Sequence, residues 1–272
     1  MIIKNIMSED PVCIDKDQNV CDALRLMSKK NVSRLLVINT NSEHERELVG
    51  IVTEKDIAIK LGSSRYGNMA PSHFHVSTVM TGELITADPD MDAGNAASLM
   101  LENNIGSLPV ILDGEILGIV TKSDLLDICR GRAYERYTAG DVMSTEMITV
   151  SPQERAVHAR RMMIDAGIGR LLVMDGGELA GILTAKDMTR AVINFRKVVP
   201  DKHKSSRIRN LLVEDIMKQN VRTVEADTPV TDLASMMMET GYGGFPVVDG
   251  ELEGIVTKTD ILDLIVEIEG VF

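Results

Sequence analysis

The chain has 272 residues, a formal net charge of −12, three cysteines and no tryptophan. The negative charge argues against non-specific nucleic-acid binding, because that affinity comes mostly from neutralising phosphates. The cysteines form no CxxC pair and no metal-ligand spacing, which indicates a reducing compartment. Neither a secretory signal nor an apolar run near the ~20 residues of a membrane span is visible. We therefore expect a soluble cytoplasmic protein with an aliphatic, methionine-rich core.

One pattern recurs four times. Each copy opens with a methionine, has a second methionine twenty residues later, and closes with Gly-apolar-apolar-Thr-x-x-Asp. The opening residues are Met7, Met80, Met143 and Met217, and the closing sequences are Gly50–Asp56, Gly118–Asp124, Gly181–Asp187 and Gly254–Asp260. A period of roughly 60–75 residues is too long for a solenoid unit and suits a small module that pairs with its neighbours. We place the four copies at residues 1–61, 76–130, 139–193 and 211–270.

Each copy reads as β-α-β-β-α, which predicts a mixed α/β (α+β) fold. The first helix carries one apolar stripe, as at Val20, Ala23, Leu24 and Met27, with the spacing of a single helix face. In the third copy Arg160 interrupts the stripe, which predicts a slightly rotated helix. An Asn or Gly follows each first helix, where a left-handed C-cap is expected. These residues are Asn31, Asn104, Gly167 and Gly241.

A short apolar strand follows, then a turn, and then a partner strand that carries the closing glycine. Asp113-Gly114, Asp175-Gly176 and Asp249-Gly250 suit the positive φ angles of tight hairpins. In the first copy the hairpin is longer and charged, between Thr40 and Glu47. The last helix is predicted to begin at the threonine of Thr-x-x-Asp. Residues 194–210 form a basic linker between the third and fourth copies.

These sequences resemble cystathionine-β-synthase (CBS) domains. The resemblance rests on the opening Val/Ile-Met, the x-Leu-Pro-Val strand and the closing Gly-Ile-Val-Thr-x-x-Asp, and it covers nearly the whole chain outside the linkers. In layout the chain is similar to archaeal homologues of the AMP-activated protein kinase γ subunit. The resemblance implies four CBS units packed as two pseudo-twofold Bateman modules, copies one-two and three-four. It also implies adenosine ligands in the clefts between paired units, within a single-chain disc or a homodimer.

The Thr-x-x-Asp sequences have two interpretations. In the first, the threonines cap the closing helices and the aspartates accept the cap amides, as a capping box. In the second, which the resemblance implies, the aspartate binds the ribose hydroxyls while the threonine and the helix N-terminus face phosphate. Both roles are compatible. The residues are Thr53, Asp56, Thr121, Asp124, Thr184, Asp187, Thr257 and Asp260.

By the same resemblance, the first strand supplies adenine contacts. The position six residues after the opening methionine is Cys13, Thr86, Thr149 and Thr223 in the four copies. A β-branched residue in a strand needs no functional reason, so a purely structural role stays open. Cysteine is the weaker hydrogen-bonding group, which puts the adenine contact of the first copy in doubt.

The resemblance also points to a phosphate-binding position three residues after the cap. It reads Arg34, Ser107, Arg170 and Gly244. An arginine offers a charge-assisted fork for phosphate, although an exposed arginine at a strand end is the alternative. Family members place histidine before it, where this chain has Ser33 and Gly169. We expect Lys55 and Lys186, from the Thr-x-Lys-Asp turns, to compensate.

No nucleophile–base pair, metal cluster or catalytic motif is visible, which predicts a protein that is not an enzyme. Our first hypothesis is a regulatory protein that binds AMP, ADP or ATP and signals to a protein partner by a change of conformation. The second is a sensor of S-adenosylmethionine or another adenosine ligand. The third is a ligand-free scaffold whose basic linker binds a protein or RNA.

Overall fold

The computed structural model describes residues 1–40, 46–61, 73–198 and 210–269, without the side chains of residues 61 and 192–198. The tip of the first hairpin and most of the basic linker lie outside this part of the chain. The structure divides into two compact units. The even unit contains copies two and four, in Met1–Pro11, Ile85–Met147 and Val221–Phe272. The odd unit contains copies one and three, in Val12–Leu84 and Ile148–Asn220.

The helices and strands follow the repeat. Copy one contains β1 (Cys13–Asp15), α1 (Val20–Lys30), β2 (Arg34–Thr40), β3 (Arg46–Thr53) and α2 (Glu54–Leu61). Copy two contains α3 (Ala93–Glu102), β4 (Ser107–Leu112), β5 (Glu115–Thr121) and α4 (Lys122–Leu125). Copy three contains α5 (Ala139–Val142), β6 (Thr149–Val150), α6 (Ala156–Asp165), β7 (Arg170–Asp175), β8 (Glu178–Thr184) and α7 (Ala185–Val198). Copy four contains α8 (Val230–Thr240), β9 (Gly244–Asp249), β10 (Glu251–Thr257) and α9 (Lys258–Glu269).

The predicted first strand forms fully only in the odd unit. There β1 pairs in parallel with β2, and β6 with β7, so each copy has a three-stranded sheet. In copies two and four the strand is reduced to single bridges, Ala87 to Val110 and Val224 to Val247. The cause is proline. In copy one the Leu36 amide donates to Val12 O at 3.0 Å, whereas Pro109 and Pro246 occupy the same position and have no amide hydrogen.

The predicted helix ends are confirmed. Asn31, Asn104, Gly167 and Gly241 have φ angles of 53°, 50°, 68° and 69°, the left-handed conformation of a helix C-cap. The hairpin turn of copy three lies one residue later than predicted. Asp175 ends β7, and the turn is formed by Gly176 and Gly177 at φ 61° and 94°, as a two-residue loop with two positive φ angles requires.

The residues around each opening methionine, which we call the opening segment, pair with a strand of the neighbouring copy and not with a strand of their own copy. Ser8, after the first methionine, bridges to Ile119 of copy two, and Thr81 bridges to Ile51 of copy one. Copies three and four exchange in the same way, with Ser144 on Ile255 and Lys218 on Ile182. Each opening methionine therefore lies against the closing glycine of its partner copy. This contact explains why the two residues recur together.

The buried residues are arranged differently in the two units. In the even unit one continuous cluster of buried residues joins copies two and four and includes Ile3 and Ala139 from exchanged segments. In the odd unit copies one and three keep separate clusters, and α2 packs against α7. The rotation predicted for α6 is wrong. Ala156, Ala159 and Met163 are buried at the positions that Val20, Ala23 and Met27 occupy in α1, while Arg160 donates to Ile59 O of copy one at 3.0 Å.

Candidate functional site

In copy one, the predicted site residues share one face of the sheet. Leu35, Val37 and Val52 point into the core cluster. Because side chains alternate along a strand, Arg34 and Leu36 point to the other face. Arg34 pairs with Thr53, and Cys13 pairs with Leu36, and residues paired across a ladder share a face. Cys13, Arg34 and Thr53 therefore lie together on what we call the outer face.

Copy three repeats this arrangement. Arg170 pairs with Thr184, and Thr149 pairs with Leu172, while Leu171, Val173 and Leu183 belong to the core cluster. The outer face of copy three thus carries Thr149, Arg170 and Thr184. In the even unit the same pairing brings Ser107 to Thr121 and Gly244 to Thr257. Thr86 and Thr223 lie one residue before the bridging residues Ala87 and Val224.

All four Thr-x-x-Asp sequences form the predicted cap. In copy one the Thr53 amide and hydroxyl donate to Asp56 Oδ2 at 2.9 and 2.6 Å. Copies two, three and four have the same pair of hydrogen bonds to one carboxylate oxygen. The helices therefore begin one residue after each threonine, with the threonine as the N-cap. The other carboxylate oxygen, Oδ1, takes no part in the cap and can accept further hydrogen bonds.

In two copies, Oδ1 lies beside a residue that the sequence did not predict as part of the site. Ser144 Oγ donates to Asp260 Oδ1 at 2.8 Å. In the odd unit, Lys218 Nζ lies 4.0 Å from Asp187 Oδ1, and the Asp187 side chain is buried. Both residues directly follow an opening methionine, and both come from the exchanged segment of the partner copy. The available signal was the polar residue after each opening methionine: Ser8, Thr81, Ser144 and Lys218.

Residues between the threonine and the aspartate connect the two copies of a unit. In the even unit Lys122 Nζ donates to Thr259 Oγ1 at 2.9 Å, and Lys258 Nζ donates to Ser123 Oγ at 2.6 Å. In the odd unit Lys55 Nζ donates to Gly167 O at 3.1 Å, and Lys186 Nζ lies 3.5 Å from Glu54 Oε2. Lys55 and Lys186 thus hold the contact between copies one and three in this structure. Their contribution to phosphate binding stays a prediction.

Beside Asp260, the even unit has an acidic cleft. It is lined by Asp141, Asp260, Asp263 and Glu267, together with Arg136 and Tyr137. Burial raises the pKa of Asp263, and the neighbouring Asp260 raises it further. Asp141 has a lowered pKa because the Thr138 amide and hydroxyl donate to its carboxylate. Four carboxyl groups and one guanidinium line this cleft, so it is unfavourable for a phosphate group. Copy four also has Gly244 at the position where copies one and three have arginine.

Comparison with known proteins identifies the repeat. The sequence profile of the CBS domain matches residues 3–63, 76–131, 139–194 and 213–267. The chain belongs to the CBS domain family. The four matches account for most of its length, and in copy order they follow the four repeats.

Two relatives match this chain over nearly its whole length. Protein MJ1225 of Methanocaldococcus jannaschii is 26% identical over 277 residues, covering 96% of this chain and 97% of the relative. Its crystal structure, described as a proposed archaeal homologue of g-AMPK, superposes with a TM-score of 0.84 at 25% identity, over 97% of this chain and 99% of that chain. A 33.4 kDa protein of Thermofilum pendens is 27% identical over 95% of this chain and 89% of its own length.

Enzymes also contain similar CBS domains. The inosine-5′-monophosphate dehydrogenase of Korarchaeum cryptofilum is 29% identical over 72% of this chain, but the match spans 44% of the enzyme. CBS domains are typically regulatory, and this chain is similar to only part of that enzyme.

Within the CBS domains of the odd unit, the residues before the arginines act through their backbones. Ser33 O accepts a hydrogen bond from the Glu54 amide at 3.0 Å, and Gly169 O accepts one from the Ala185 amide at 2.9 Å. These bonds hold the start of each closing helix beside the strand that begins with Arg34 or Arg170. Burial raises the pKa of the Cys13 thiol, partly offset by Arg46, so Cys13 presents a neutral thiol on the outer face.

None of the helices in the described part of the chain is long and apolar enough to cross a membrane. Among the same residues, no three His, Cys, Asp or Glu side chains form a group suited to a metal ion.

Proposed function

We propose that the CBS domains of copies one and three bind AMP, ADP or ATP on their outer faces and that a protein partner reads the resulting change of conformation. The observation that carries this proposal is the pairing of Arg170 with Thr184, which places a guanidinium-bearing residue opposite a helix N-cap. Arg34 and Thr53 repeat it in copy one. An arginine and a helix N-terminus both favour phosphate.

The remaining groups suit the rest of an adenine nucleotide. The Oδ1 atoms of Asp56 and Asp187, which lie outside the cap, can accept hydrogen bonds from ribose hydroxyls while Oδ2 keeps its cap. Thr149, on the same face, offers a hydroxyl to the adenine edge, and Cys13 offers a weaker donor in copy one. The likeness to MJ1225 along the whole chain agrees with an energy-sensing role, because that protein is described as a proposed homologue of g-AMPK.

Regulation requires that the nucleotide bind one conformation better than another. The closing helices offer such an element. Each Thr-x-x-Asp turn caps a helix and also contacts the opposite copy, as Lys186 does at Glu54. A nucleotide that engages Asp187 would therefore act on the helix start and on the contact between copies one and three.

A second candidate ligand follows from the even unit. Copies two and four have Ser107 and Gly244 in place of arginine, and the cleft beside Asp260 is acidic. These features favour an adenosine compound without phosphate, and a sulfonium such as S-adenosylmethionine suits the negative charge. A scaffold that uses the basic linker is the remaining alternative.

A thermal-shift experiment with AMP, ADP, ATP, S-adenosylmethionine and GTP tests the proposal. We expect an adenine nucleotide, and not GTP, to stabilise the chain by about 2.7 kcal/mol at a hundredfold excess over its dissociation constant. Replacing Arg170 by alanine should weaken nucleotide binding at copy three roughly ten- to hundredfold, because a charge-assisted hydrogen bond contributes about 1.5–3 kcal/mol.

The matched control is Arg161→Ala, which removes the same charge from an exposed position on α6 of the same copy. It should leave nucleotide affinity unchanged. Equal stabilisation by GTP, or none by any adenosine compound, would refute adenine-nucleotide sensing, and the second result would favour the scaffold. Full affinity at two sites in Arg170→Ala would instead remove the phosphate assignment and favour S-adenosylmethionine.

A further inference from the structure

We infer that Lys218, supplied by the opening segment of copy four, is a second phosphate-binding cation of the copy-three site and makes that site prefer di- and triphosphates over monophosphates. The inference rests on the proposed function and adds the number of phosphates to it. Its basis is the position of Lys218 on the outer face, beside the carboxylate of Asp187.

The backbone of Lys218 is held firmly. Its amide donates to Ile182 O at 2.9 Å, and the Ile182 amide donates to Lys218 O at 2.9 Å. The preceding residue, Met217, lies against Gly181, where a Cβ would come within 2.9 Å of the methionine sulfur. The exchanged segment therefore adds one more position to the β8 edge of the sheet.

Register places the Lys218 side chain on the outer face. Lys218 bridges to Ile182, and residues paired across an antiparallel bridge share a face. Ile182 in turn pairs with Leu172, two residues after Arg170, and precedes Thr184 by two residues. Arg170, Thr184 and Lys218 therefore point to the same side of one sheet.

The ammonium group is close to the site but weakly held there. Lys218 Nζ is 4.0 Å from Asp187 Oδ1, and its side chain is 54% exposed. Because the lysine is exposed and its ammonium lies 4.0 Å from the carboxylate oxygen, the pair holds the lysine side chain only weakly, although Asp187 is buried. The long flexible side chain can therefore turn from the carboxylate to an arriving phosphate chain, where charge on both partners strengthens the hydrogen bond.

Two outer-face positions differ among the copies: the first residue of the strand that pairs with the threonine, and the residue after the partner's opening methionine. Copy three has a cation at both positions, Arg170 and Lys218. Copy one has one cation, Arg34, with Thr81 at the second position, and copies two and four have none. The remaining equivalents are Ser107 and Ser8 in copy two and Gly244 and Ser144 in copy four. Ser144 shows that a side chain from this position reaches the partner aspartate, since it hydrogen-bonds Asp260. Two cations suit a phosphate chain of higher charge, and one cation suits a monophosphate.

Calorimetric titration of AMP and ATP into the full chain tests this assignment. An Arg34→Ala background weakens phosphate binding at copy one, so that the copy-three site dominates. In that background Lys218→Ser, which introduces the residue type of copy four, should weaken ATP about tenfold and AMP less than about threefold. Lys218→Arg should retain ATP affinity. The control Lys29→Ser removes the same charge from the exposed end of α1 and should change neither affinity.

The reverse substitution gives an independent result. Thr81→Lys, in an Arg170→Ala background, should raise the ATP-to-AMP affinity ratio of the copy-one site. Equal losses of AMP and ATP in Lys218→Ser, or no loss of either, would overturn the role of Lys218 while leaving nucleotide binding intact. A parent protein that binds neither nucleotide would overturn the proposed function, and this inference with it.

Discussion

At the scale of single residues, the repeated glycine and methionine form one contact. A Cβ built on Gly181 would lie 2.8 Å from Lys218 O and 2.9 Å from Met217 Sδ. Gly50, Gly118 and Gly254 meet the opening methionine of their partner copies in the same way. Because the backbone carbonyl of a bridged segment cannot move independently, the glycine is a steric requirement of segment exchange.

Gly181→Ala should therefore destabilise the protein by about 1–3 kcal/mol, the usual cost of overpacking. Gly82→Ala is the matched control, because a Cβ there would meet its nearest atom, Val49 O, at 3.8 Å. It should change the free energy of unfolding by less than about 0.5 kcal/mol. Urea unfolding of the two variants measures the difference, and equal stabilities would show that the exchanged segment can shift to admit a methyl group.

Local chemistry determined which residues could be predicted from the sequence. The left-handed caps at Asn31 and Gly167 were predictable because helix ends depend on adjacent residues. The Thr-x-x-Asp caps followed for the same reason. Lys218 was not predictable, since its role depends on which strand its segment joins, and that strand lies in copy three. The family resemblance supplied Arg34 and Arg170, and the register then placed them opposite Thr53 and Thr184.

At the scale of elements, alternate copies use different residues for the same packing. Copies two and four have a proline in the strand after the first helix, and there the first strand is reduced to a single bridge. Copies one and three have leucine at that position, and their first strand pairs in parallel with it. The copy-to-copy contacts differ in the same way. Copies two and four use lysine–hydroxyl pairs, and copies one and three use an ion pair and a lysine–carbonyl bond. The repeat pattern predicted the elements, but these long-range contacts required the structure.

The part-buried hydrogen bond from Lys258 to Ser123 should couple α9 energetically to α4. A double-mutant cycle with Lys258→Met and Ser123→Ala should give an interaction energy of about 0.5–1.5 kcal/mol. The equivalent exposed pair, Lys122 and Thr259, should give less than about 0.5 kcal/mol. Thermal or urea unfolding of the four proteins in each cycle provides the values. Additive effects at Lys258 and Ser123 would mean that this contact does not hold copies two and four together.

At the scale of the whole molecule, the four copies are of two kinds, with or without an arginine on the outer face. The copies with an outer-face arginine fall together in the odd unit, and the copies without one fall in the even unit, beside the acidic cleft. The sequence showed the alternation of arginine, but not that the copies of one kind belong to the same compact unit. That grouping arises from helix packing between copies that are far apart in sequence, such as α2 with α7. If the proposed function holds, the phosphate-binding sites therefore lie together in the odd unit.

This division predicts the stoichiometry of nucleotide binding. The chain should bind two equivalents of ADP or ATP with an arginine-dependent affinity, one at copy one and one at copy three. Arg34→Ala and Arg170→Ala should each weaken one of these sites about ten- to hundredfold, and the double variant should weaken both. Ser107→Ala, at the matching position of copy two, should leave both sites intact. Isothermal titration of the parent chain and the four variants measures the number of sites directly. If two high-affinity sites persist in the double variant, nucleotide binding does not depend on Arg34 or Arg170, and the proposal is wrong. If each single variant loses one site, copy one and copy three each have one phosphate-binding position.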